Sequence, residues 1–465
     1  MGGARKRARG MMSGDKLFGT DGIRGEVNIA PMTADIALRL GQAIGVTFNR
    51  GGTHPSVVIG KDTRLSGYMF ENALTAGLTS VGVDARLVGP IPTPAIGVLT
   101  RSMRAEAGVM ITASHNGYQD NGIKVFGPDG FKIGDAEQEA LEAFIRNPED
   151  IPLRNMVGRV RRYHDAIGRY VEVVKSSVPR DLSLAGMTIV VDSANGAGYR
   201  VAPQTLWELG AEVHSIGAEP NGININRGCG STDLSALTAA VLERKADIGV
   251  ALDGDADRVI MVDEKGEAID GDQILGSIAS SWKRLDTLRG GGVVATIMSN
   301  FGLERFLRDE GLMLHRTPVG DRHVIAQMRA KGFNVGGEQS GHVILSDYST
   351  TGDGLIAAIQ ILSAFRKADR PASEALRIFQ PVPQILRNVR FTSGNPMDDP
   401  DVQKSITDAE LKLSNLGRVV VRKSGTEPLI RVMTEADDPD LAESVAASVV
   451  HAVETSVERG LAAAQ

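Results

Sequence analysis

The order of apolar and polar positions predicts strands and helices that follow one another regularly along the chain. From Ile36 to Phe48 an apolar residue recurs at every fourth position, which predicts a helix with Thr33 as its N-cap. Short apolar runs predict buried strands at 56–60, 85–88 and 108–112, with a second helix at 67–81. Residues 121–133 then resemble a hairpin with Gly-Pro-Asp-Gly at its turn.

The same alternation recurs twice more. The second segment has predicted strands at 188–192, 211–216 and 247–252, with helices through Trp207 and at 234–245. The third segment has predicted strands at 293–297, 312–317 and 334–337, with helices at 299–310 and 321–331. Strands alternating with helices at this spacing favour βαβ units and parallel-rich sheets. Three such segments in series indicate a duplicated α/β architecture.

The segment after the Pro-containing stretch 379–384 has a different pattern. Its predicted strands at 389–392, 418–421 and 429–433 and helices at 399–414 and 440–459 indicate a separate α+β domain. We therefore expect a flexible extension at 1–11 followed by four domains, at 12–160, 161–260, 261–375 and 376–465. The basic extension lacks the apolar stretch of a signal peptide.

Charge and cysteine content narrow the class of protein. The 51 Lys and Arg against 57 Asp and Glu give a net charge of −6, which argues against a general nucleic-acid or anionic-membrane binder. No apolar run is long enough for a membrane span. A single cysteine, Cys229, cannot form an intramolecular disulfide and favours a reducing, cytoplasmic location. Glycine is enriched, at 54 of 465 residues, which directs attention to the loops where it clusters.

One glycine-containing loop follows a predicted strand and carries candidate chemistry. In ITASHNGYQDNGIKVF (111–126), Ser114 lies at the C-terminal end of the strand, where α/β folds place ligands. The esterase pattern G-x-S-x-G is absent, so Ser114 fits a phosphate acceptor better, with Lys124 nearby to stabilise phosphoryl charge. His115 could orient this loop or the nucleophile. The alternative is an ordinary polar cap on the strand.

A second loop, LDGDADRV (252–259), places Asp253, Asp255 and Asp257 at alternate positions directly after an apolar strand. Three carboxylates so close repel one another unless a cation neutralises them, and oxygen ligands suit Mg²⁺. The spacing is not that of an EF-hand. The alternative is a solvated acidic turn.

Two further loops suit a phosphorylated sugar. In VGGEQSGH (335–342), Glu338 and Ser340 could bind paired sugar hydroxyls; the alternative is a polar turn. In VVVRKSGTEPLIRVM (419–433), arginines, hydroxyls and a glycine make a candidate phosphate cradle, or else a basic surface loop. No Walker A pattern is present.

Together and in this order, these motifs resemble the α-D-phosphohexomutase superfamily over about residues 17–460. The motifs that carry the resemblance are FGTDGIRG (18–25), TASHN (112–116), DGDADR (253–258), GEQSGH (337–342) and RKSGTEPLIRVM (422–433). Within the superfamily the chain looks most like the bacterial phosphoglucosamine mutase branch, because of the loop GININRGCGSTD (222–233) and of Gln339.

The resemblance implies three related α/β domains and a C-terminal α+β domain of the TATA-binding-protein-like class around one cleft. It implies that Ser114 is phosphorylated and completes a single Mg²⁺ site with Asp253, Asp255 and Asp257. The other implied site residues are Lys124, Arg24 and His115 for catalysis; Glu338, Ser340, Arg258 and His342 for the sugar; and Arg422, Ser424, Gly425, Thr426 and Arg431 for the non-reacting phosphate. Lys124 is favoured over His115 for proton transfer.

The implied activity is that of an isomerase that interconverts glucosamine 6-phosphate and glucosamine 1-phosphate through a 1,6-bisphosphate, with a hexose bisphosphate as activator. It would supply UDP-N-acetylglucosamine for cell-wall synthesis. A phosphomannomutase or phosphoglucomutase with the same machinery, and a non-catalytic sugar-phosphate sensor, are the alternatives. The expected partner is a small sugar phosphate, with no nucleic acid and no membrane, and a homodimer is left open.

Overall fold

The computed structural model describes residues 16–49, 51, 54–152, 156–180, 182–392, 395–423 and 428–462. The extension predicted at 1–11 and the cradle residues Ser424, Gly425 and Thr426 lie outside this part of the chain. The chain divides into two compact units, residues 1–296 with 317–377 and residues 297–316 with 378–465.

The structure contains the strands and helices that the apolar pattern predicts, together with others that it does not predict. The strands are β1 (Ile23–Glu26), β2 (Ser56–Lys61), β3 (Asp84–Pro90), β4 (Ala107–Ile111), β5 (Asp120–Phe126), β6 (Val160–Arg162), β7 (Thr188–Asp192), β8 (Glu212–Ile216), β9 (Ile248–Leu252), β10 (Val259–Asp263), β11 (Ala268–Ile269), β12 (Gly292–Thr296), β13 (Met313–Thr317), β14 (Val335–Gly337), β15 (Val343–Leu345), β16 (Gln384–Arg390), β17 (Gly417–Lys423) and β18 (Leu429–Ala436). The helices are α1 (Ala34–Thr47), α2 (Gly67–Ser80), α3 (Thr93–Ser102), α4 (Asp135–Arg146), α5 (Ala166–Ser176), α6 (Val201–Glu208), α7 (Ser235–Arg244), α8 (Gly271–Arg284), α9 (Phe301–Asp309), α10 (Asp321–Lys331), α11 (Gly354–Ala368), α12 (Ala372–Ala375), α13 (Pro400–Leu413) and α14 (Pro439–Ala462).

Three sheets of the first unit hold the loops of interest. The first sheet has the order β1-β5-β4-β2-β3-β6 and the second β11-β10-β9-β7-β8, while β12, β14 and β15 are neighbours in the third. The central pairs β2–β4, β7–β9 and β12–β14 are parallel, whereas β5, β10 and β15 pair antiparallel with β4, β9 and β14. In each case a parallel core strand leads into an antiparallel neighbour, as in a duplicated architecture.

The cores of these layers explain the apolar periodicity. On α1, Ile36, Leu40 and Ile44 are buried, and they pack in one cluster with residues of the central strands such as Val57 and Val109. Every residue of β2, β4 and β9 is buried, as expected for strands covered on both faces. The loops that leave these strands therefore start from fixed backbone.

The second unit contains α9, most of β13 and the C-terminal elements. Its sheet has the order β16-β18-β17, with both pairs antiparallel, and α14 packs against it. The predicted fold class, three α/β domains followed by a C-terminal α+β domain, is confirmed.

Local predictions differ from the structure in several places. The strand predicted at 389–392 is β16, at Gln384–Arg390. The elements that were not predicted are β1, β6, β10, β11, β15, α3, α4, α5, α8, α11 and α12. Among the described residues, the predicted hairpin at 121–133 has a single β-bridge, between Phe126 and Lys132. Both edges of β5 are already paired, one with β1 and the other with β4. Thr33 stands at the N-cap of α1, but its hydroxyl donates to Asp35 Oδ1 (2.6 Å) instead of capping the backbone. In the described part of the chain, no helix is both long and apolar enough to span a membrane.

Candidate active site

Ser114 lies just after β4, in a left-handed backbone conformation that residues other than glycine rarely adopt. Its φ is +51° and its side chain is buried. The Ser114 amide donates to Thr112 Oγ1 (2.9 Å), which fixes the turn that produces this conformation. Left-handed backbone at a non-glycine residue costs free energy and is common at functional sites, so the loop presents this hydroxyl at a specific place.

A buried arginine holds the Ser114 loop from below. Arg64 donates to Asp62 Oδ2 (2.8 Å) and also to the carbonyl oxygens of Ser114 (3.0 Å) and Asn116 (2.8 Å). From the loop 222–233, Asn226 Nδ2 donates to the same two carbonyl oxygens (2.8 and 2.9 Å). The loop's backbone acceptors are thus satisfied by side chains from two other segments.

We expect Arg64→Met to destabilise the fold because it removes the counter-charge of the buried Asp62 carboxylate and one donor from each of several loop carbonyls. Loss of one partner of a buried ion pair typically costs about 3–5 kcal/mol. The free energy of unfolding, measured by urea denaturation, should fall by about that amount. Arg169→Met is the control, because the exposed Arg169–Asp165 pair contributes little. Equal stability of the two variants would contradict the clamp.

The three aspartates converge between β9 and β10. Asp253, Asp255 and Asp257 are buried, and they offer ligand oxygens that all lie within 4.8 Å of one another. Ser114 Oγ donates to Asp253 Oδ2 at 2.5 Å, so the serine faces this carboxylate triad. Burial and the charges of Asp255 and Asp257 raise the pKa of Asp253 well above its usual range.

The triad has the donor set of a hard divalent cation. Asp255 Oδ1 is buried and has no hydrogen-bond partner among the described residues. A buried carboxylate oxygen without a donor is costly, and a bound cation would remove that cost. Ser114 Oγ and the three carboxylates therefore fit Mg²⁺, which prefers oxygen ligands.

Asp255 is also anchored by α3, an element that the sequence did not predict. Thr93, its first residue, donates from its hydroxyl to Asp255 Oδ2 (2.5 Å), and the Thr93 amide donates to the Asp255 carbonyl oxygen (2.9 Å). These bonds join the first sheet's helix to the loop after β9. Thr93 therefore orients the Asp255 carboxylate, whose other oxygen, Oδ1, has no hydrogen-bond partner among the described residues.

Lys124, on β5, points its ammonium into the triad. Lys124 Nζ donates to Asp255 Oδ2 (2.8 Å) and Asp257 Oδ2 (3.0 Å) and lies 3.3 Å from Asp21 Oδ2. Burial by itself would lower the pKa of Lys124, but these carboxylates raise it well above its usual value. Lys124 is therefore a fixed cation at the same carboxylate triad that Ser114 contacts.

His115 and two arginines lie near the same charges. His115 Nδ1 is 3.4 Å from Ser114 Oγ, and burial together with Arg258 and Arg24 lowers the pKa of His115. The Arg258 amide donates to Asp253 Oδ1 (3.2 Å), and Arg24 pairs with Asp21. Since the guanidinium Nε atoms of both arginines are buried without a hydrogen-bond partner among the described residues, both retain a donor for a ligand.

His342 connects the triad to a further carboxylate, on α10. His342 Nδ1 is 3.5 Å from Asp257 Oδ1, and His342 Nε2 is 3.6 Å from Asp321 Oδ2. Burial lowers the pKa of His342, but Asp257 and Asp321 raise it more. Lys132, which follows β5, donates to Asp321 Oδ2 (2.6 Å) and to Asp21.

The predicted sugar loop reaches the same region. The Glu338 carboxylate accepts from the Gly320 amide (3.1 Å) and from Ser340 Oγ (3.3 Å), so the two predicted hydroxyl-binding side chains touch each other. Both remain partly open to solvent, as a ligand-binding pair must. Gln339 instead donates to Asp270 Oδ2 (3.3 Å), at the start of α8.

The second unit presents the two cradle arginines that the structure describes. Arg422 on β17 and Arg431 on β18 are register partners in the antiparallel pair. Burial and the neighbouring Arg431 lower the pKa of Arg422, and Arg431 Nε is buried without a hydrogen-bond partner among the described residues. Two guanidinium groups side by side with a spare donor suit a dianion such as phosphate.

Sequence reasoning named many of the residues that meet here, but it missed five that the fold contributes. The structure brings together nine of the residues that the sequence predicted: Ser114, His115, Lys124, Arg24, Asp253, Asp255, Asp257, Arg258 and His342. The predicted residues Glu338 and Ser340 are close to His342 in the sequence. The missed residues are Asp21, Arg64, Thr93, Lys132 and Asp321. Asp21 lies inside the motif at 18–25, so it could have been singled out; the others have no local signal.

Comparison with protein families gives matches along nearly the whole chain. Four domain descriptions of phosphoglucomutase/phosphomannomutase match: alpha/beta/alpha domain I at 15–151, alpha/beta/alpha domain II at 161–266, alpha/beta/alpha domain III at 270–382 and the C-terminal domain at 386–452.

Individual relatives agree with this. The chain is 58% identical over 442 residues to the phosphoglucosamine mutase of Azorhizobium caulinodans, covering 94% of this chain and 98% of the relative. It is also 58% identical to that of Sphingopyxis alaskensis, covering 95% and 100%.

Solved structures share the fold. A phosphoglucomutase/phosphomannomutase family protein from Burkholderia thailandensis matches with a TM-score of 0.80 and 24% identity, over 95% of this chain and 97% of that one. The N-acetylphosphoglucosamine mutase of Aspergillus fumigatus in complex with GlcNAc-6P and magnesium matches with a TM-score of 0.63 and 18% identity, over 95% and 96%. The chain therefore belongs to the phosphoglucomutase/phosphomannomutase family.

Proposed function

We propose that the protein is an isomerase that interconverts glucosamine 6-phosphate and glucosamine 1-phosphate through a phosphoserine at Ser114 and a 1,6-bisphosphate intermediate. The observation that carries this is the Ser114 hydroxyl against the carboxylate triad, with Lys124 beside it. The choice of amino sugar rests on the phosphoglucosamine mutases that are 58% identical to the chain. This activity would supply amino-sugar phosphate for UDP-N-acetylglucosamine and cell-wall synthesis.

Ser114 is the group that gives and receives the phosphoryl unit. The loop fixes its Oγ in the buried site, and Lys124 and Arg24 place positive charge where phosphoryl oxygens would gather negative charge. Asp253, Asp255, Asp257 and Ser114 would hold one Mg²⁺, which when bound supplies Lewis-acid stabilisation of that charge. The sugar hydroxyl attacks the phosphoserine, and Ser114 Oγ leaves.

Proton transfer accompanies each attack, and two side chains are placed to assist. Because carboxylates raise the pKa of Lys124 well above its usual value, Lys124 acts as a fixed cation that can donate a hydrogen bond to the leaving oxygen. His115, whose pKa is lowered and whose Nδ1 is 3.4 Å from Ser114 Oγ, is the alternative for taking up a proton. We favour Lys124 because its ammonium contacts Asp255 and Asp257 of the triad that Ser114 faces.

The remaining site residues bind the substrate. We propose that Glu338 and Ser340 hold sugar hydroxyls, with Arg258 and His342 beside them. We assign the non-reacting phosphate to Arg422, Ser424, Gly425, Thr426 and Arg431. Because the bisphosphate must be used in both orientations, contacts to hydroxyls and phosphates serve better than a pocket for one end of the sugar. We also propose that the domains meet near residues 160, 260 and 375. A hexose 1,6-bisphosphate is the proposed activator.

Arg422→Ala tests the phosphate cradle. We expect KM for glucosamine 6-phosphate to rise about 10- to 100-fold, because a charge-assisted hydrogen bond to a phosphate is lost. The kcat should change less. Arg387→Ala is the control, since Arg387 lies on the same sheet but pairs with Glu443. An unchanged KM in initial-rate assays would count against the cradle role.

The substrate assignment is tested by a panel of coupled assays with Mg²⁺ and a trace of hexose bisphosphate. We expect the highest kcat/KM for glucosamine 6-phosphate. Higher values for mannose 1-phosphate or glucose 1-phosphate would instead assign a phosphomannomutase or phosphoglucomutase. No turnover of any of the three, with binding retained, would favour the sugar-phosphate sensor.

A further inference from the structure

Six side chains, one of which belongs to the triad, close into a ring in which basic and acidic groups alternate. In order around this ion-pair ring they are Lys124, Asp21, Lys132, Asp321, His342 and Asp257. The longest separation between neighbours is the 3.6 Å from His342 Nε2 to Asp321 Oδ2. The ring joins residues from all three α/β segments, and it adjoins a cavity of about 450 Å³ lined in part by Lys124, Lys132 and Asp321.

Lys132 differs from Lys124, because the proposed chemistry assigns no role to Lys132. Its ammonium donates to Asp21 and to Asp321 Oδ2 (2.6 Å). Burial lowers the pKa of Lys132, but these two carboxylates raise it more, so it stays charged. Asp21 also contacts Lys124, and Asp321 also lies near His342, so Lys132 is linked through these carboxylates to both residues.

The segment that carries Lys132 is fixed against α10 and the loop before α11. The Phe131 ring lies 4.4 Å from the guanidinium carbon of Arg329, and the Gly130 carbonyl oxygen accepts from Thr350 Oγ1. A second ion pair crosses the same seam, from Arg322 to Asp135 at 2.7 Å. Lys132 is therefore delivered to its two carboxylates by a preorganised backbone.

We propose that Lys132 is a positioning residue: by holding Asp21 and Asp321 together, it fixes Lys124 and His342 at the carboxylate triad. The proposal rests on the proposed function, since Lys124 is the cation of the phosphoryl transfer. Without Lys132, Asp21 and Asp321 would lose a shared counter-charge and repel each other. Lys124 would then lose the Asp21 contact that helps to fix its ammonium beside Asp255 and Asp257, and small displacements of a catalytic group are costly to the rate.

Lys132→Met is the primary test. Removing a group that orients a catalytic residue typically costs 10- to 100-fold in activity, so kcat should fall by about that factor. KM should stay within about threefold, because Lys132 positions a reacting group and does not hold the ground-state substrate. Lys132→Arg should recover part of kcat, since the charge is kept. Lys175→Met is the matched control: Lys175 is also shared by two carboxylates, Glu172 and Glu208, but on the surface.

A double-mutant cycle with Asp321→Asn separates positioning from general loss of structure. In Lys132→Met/Asp321→Asn the charges removed are balanced, so we expect kcat no lower than in Lys132→Met alone, with circular dichroism and Tm near the wild type. This double variant also keeps the test valid if Lys132→Met folds poorly. Wild-type kcat in Lys132→Met, a rise in KM at unchanged kcat, or losses that multiply in the double variant would overturn the proposal.

Assays of the wild type distinguish an error in the positioning role of Lys132 from an error in the proposed function. If the wild type does not convert glucosamine 6-phosphate, the proposed function fails. The ring is then tested by the rate at which hexose 1,6-bisphosphate loads Ser114, followed as a gain of about 80 Da. Slower loading in Lys132→Met than in Lys175→Met supports the ring, and equal rates overturn it.

Discussion

Ser114→Ala is expected to abolish turnover, by at least about 10⁴-fold in kcat, while the fold stays intact. Removal of a nucleophile that carries a covalent intermediate leaves no alternative route through the same site. Alanine can take the place of serine here because the turn is held by other groups: the Thr112 hydroxyl and the Arg64 guanidinium bind the backbone of residue 114 and not its side chain.

The control for Ser114→Ala is Ser176→Ala, since Ser176 is an exposed serine at the end of α5 whose hydroxyl donates to the Val173 carbonyl oxygen within the same helix. Both variants should match the wild type in Tm and circular dichroism, and only Ser114→Ala should lose activity. Appreciable turnover by a purified Ser114→Ala protein free of contaminating mutase would refute the phosphoserine.

Removal of divalent metal is expected to have the second largest effect. EDTA should reduce turnover by at least about 100-fold, because the phosphoryl charge beside Ser114 then loses the cation that the triad is built to hold. Activity should return on adding excess Mg²⁺. The reason is electrostatic: three buried carboxylates face one serine, and Lys124 alone cannot neutralise them.

Asp255→Asn tests the same site within the chain. An amide keeps the shape but loses a charge, so the apparent Kd for Mg²⁺ should rise and kcat at fixed metal should fall. Asp309→Asn is the matched control, because Asp309 is exposed on α9. Full activity in metal-free buffer, or identical Mg²⁺ dependence of the two variants, would contradict the triad's assignment.

The fold was predictable in outline because burial leaves a clear periodic signal. Strands β2, β4 and β9 are buried along their whole length and read as short apolar runs, so they were found within a residue or two. Helix α3 was missed because it begins at Thr93 after two prolines, which are typical of turns. In α8 nearly every residue is buried, polar ones such as Ser277 included, so residue type did not reveal its burial. Helices α4, α5 and α11 were also not predicted, although their sequences suit helices.

The candidate site was predictable where chemistry is concentrated in one loop. The triad lies within five residues and Ser114 follows a strand, so residue type and spacing sufficed. Lys132 and Asp321 could not be paired in advance, because they are 189 positions apart and meet only through the packing of α10 against the loop after β5. Arg64 is similar: an arginine in a polar loop gives no sign that it will be buried under another loop.

The central claim is that Ser114 itself transfers phosphate to the sugar, and single-turnover mass spectrometry tests it most directly. Phosphorylated enzyme is mixed with glucosamine 6-phosphate in the presence of Mg²⁺ and quenched at intervals. The account predicts that the protein transiently loses about 80 Da, mapped to Ser114, at least as fast as steady-state turnover, while glucosamine 1,6-bisphosphate appears in equal amount; Ser114 then regains the phosphoryl group as glucosamine 1-phosphate is released. Glucosamine 1-phosphate formed without this intervening loss of phosphate from Ser114 would contradict it.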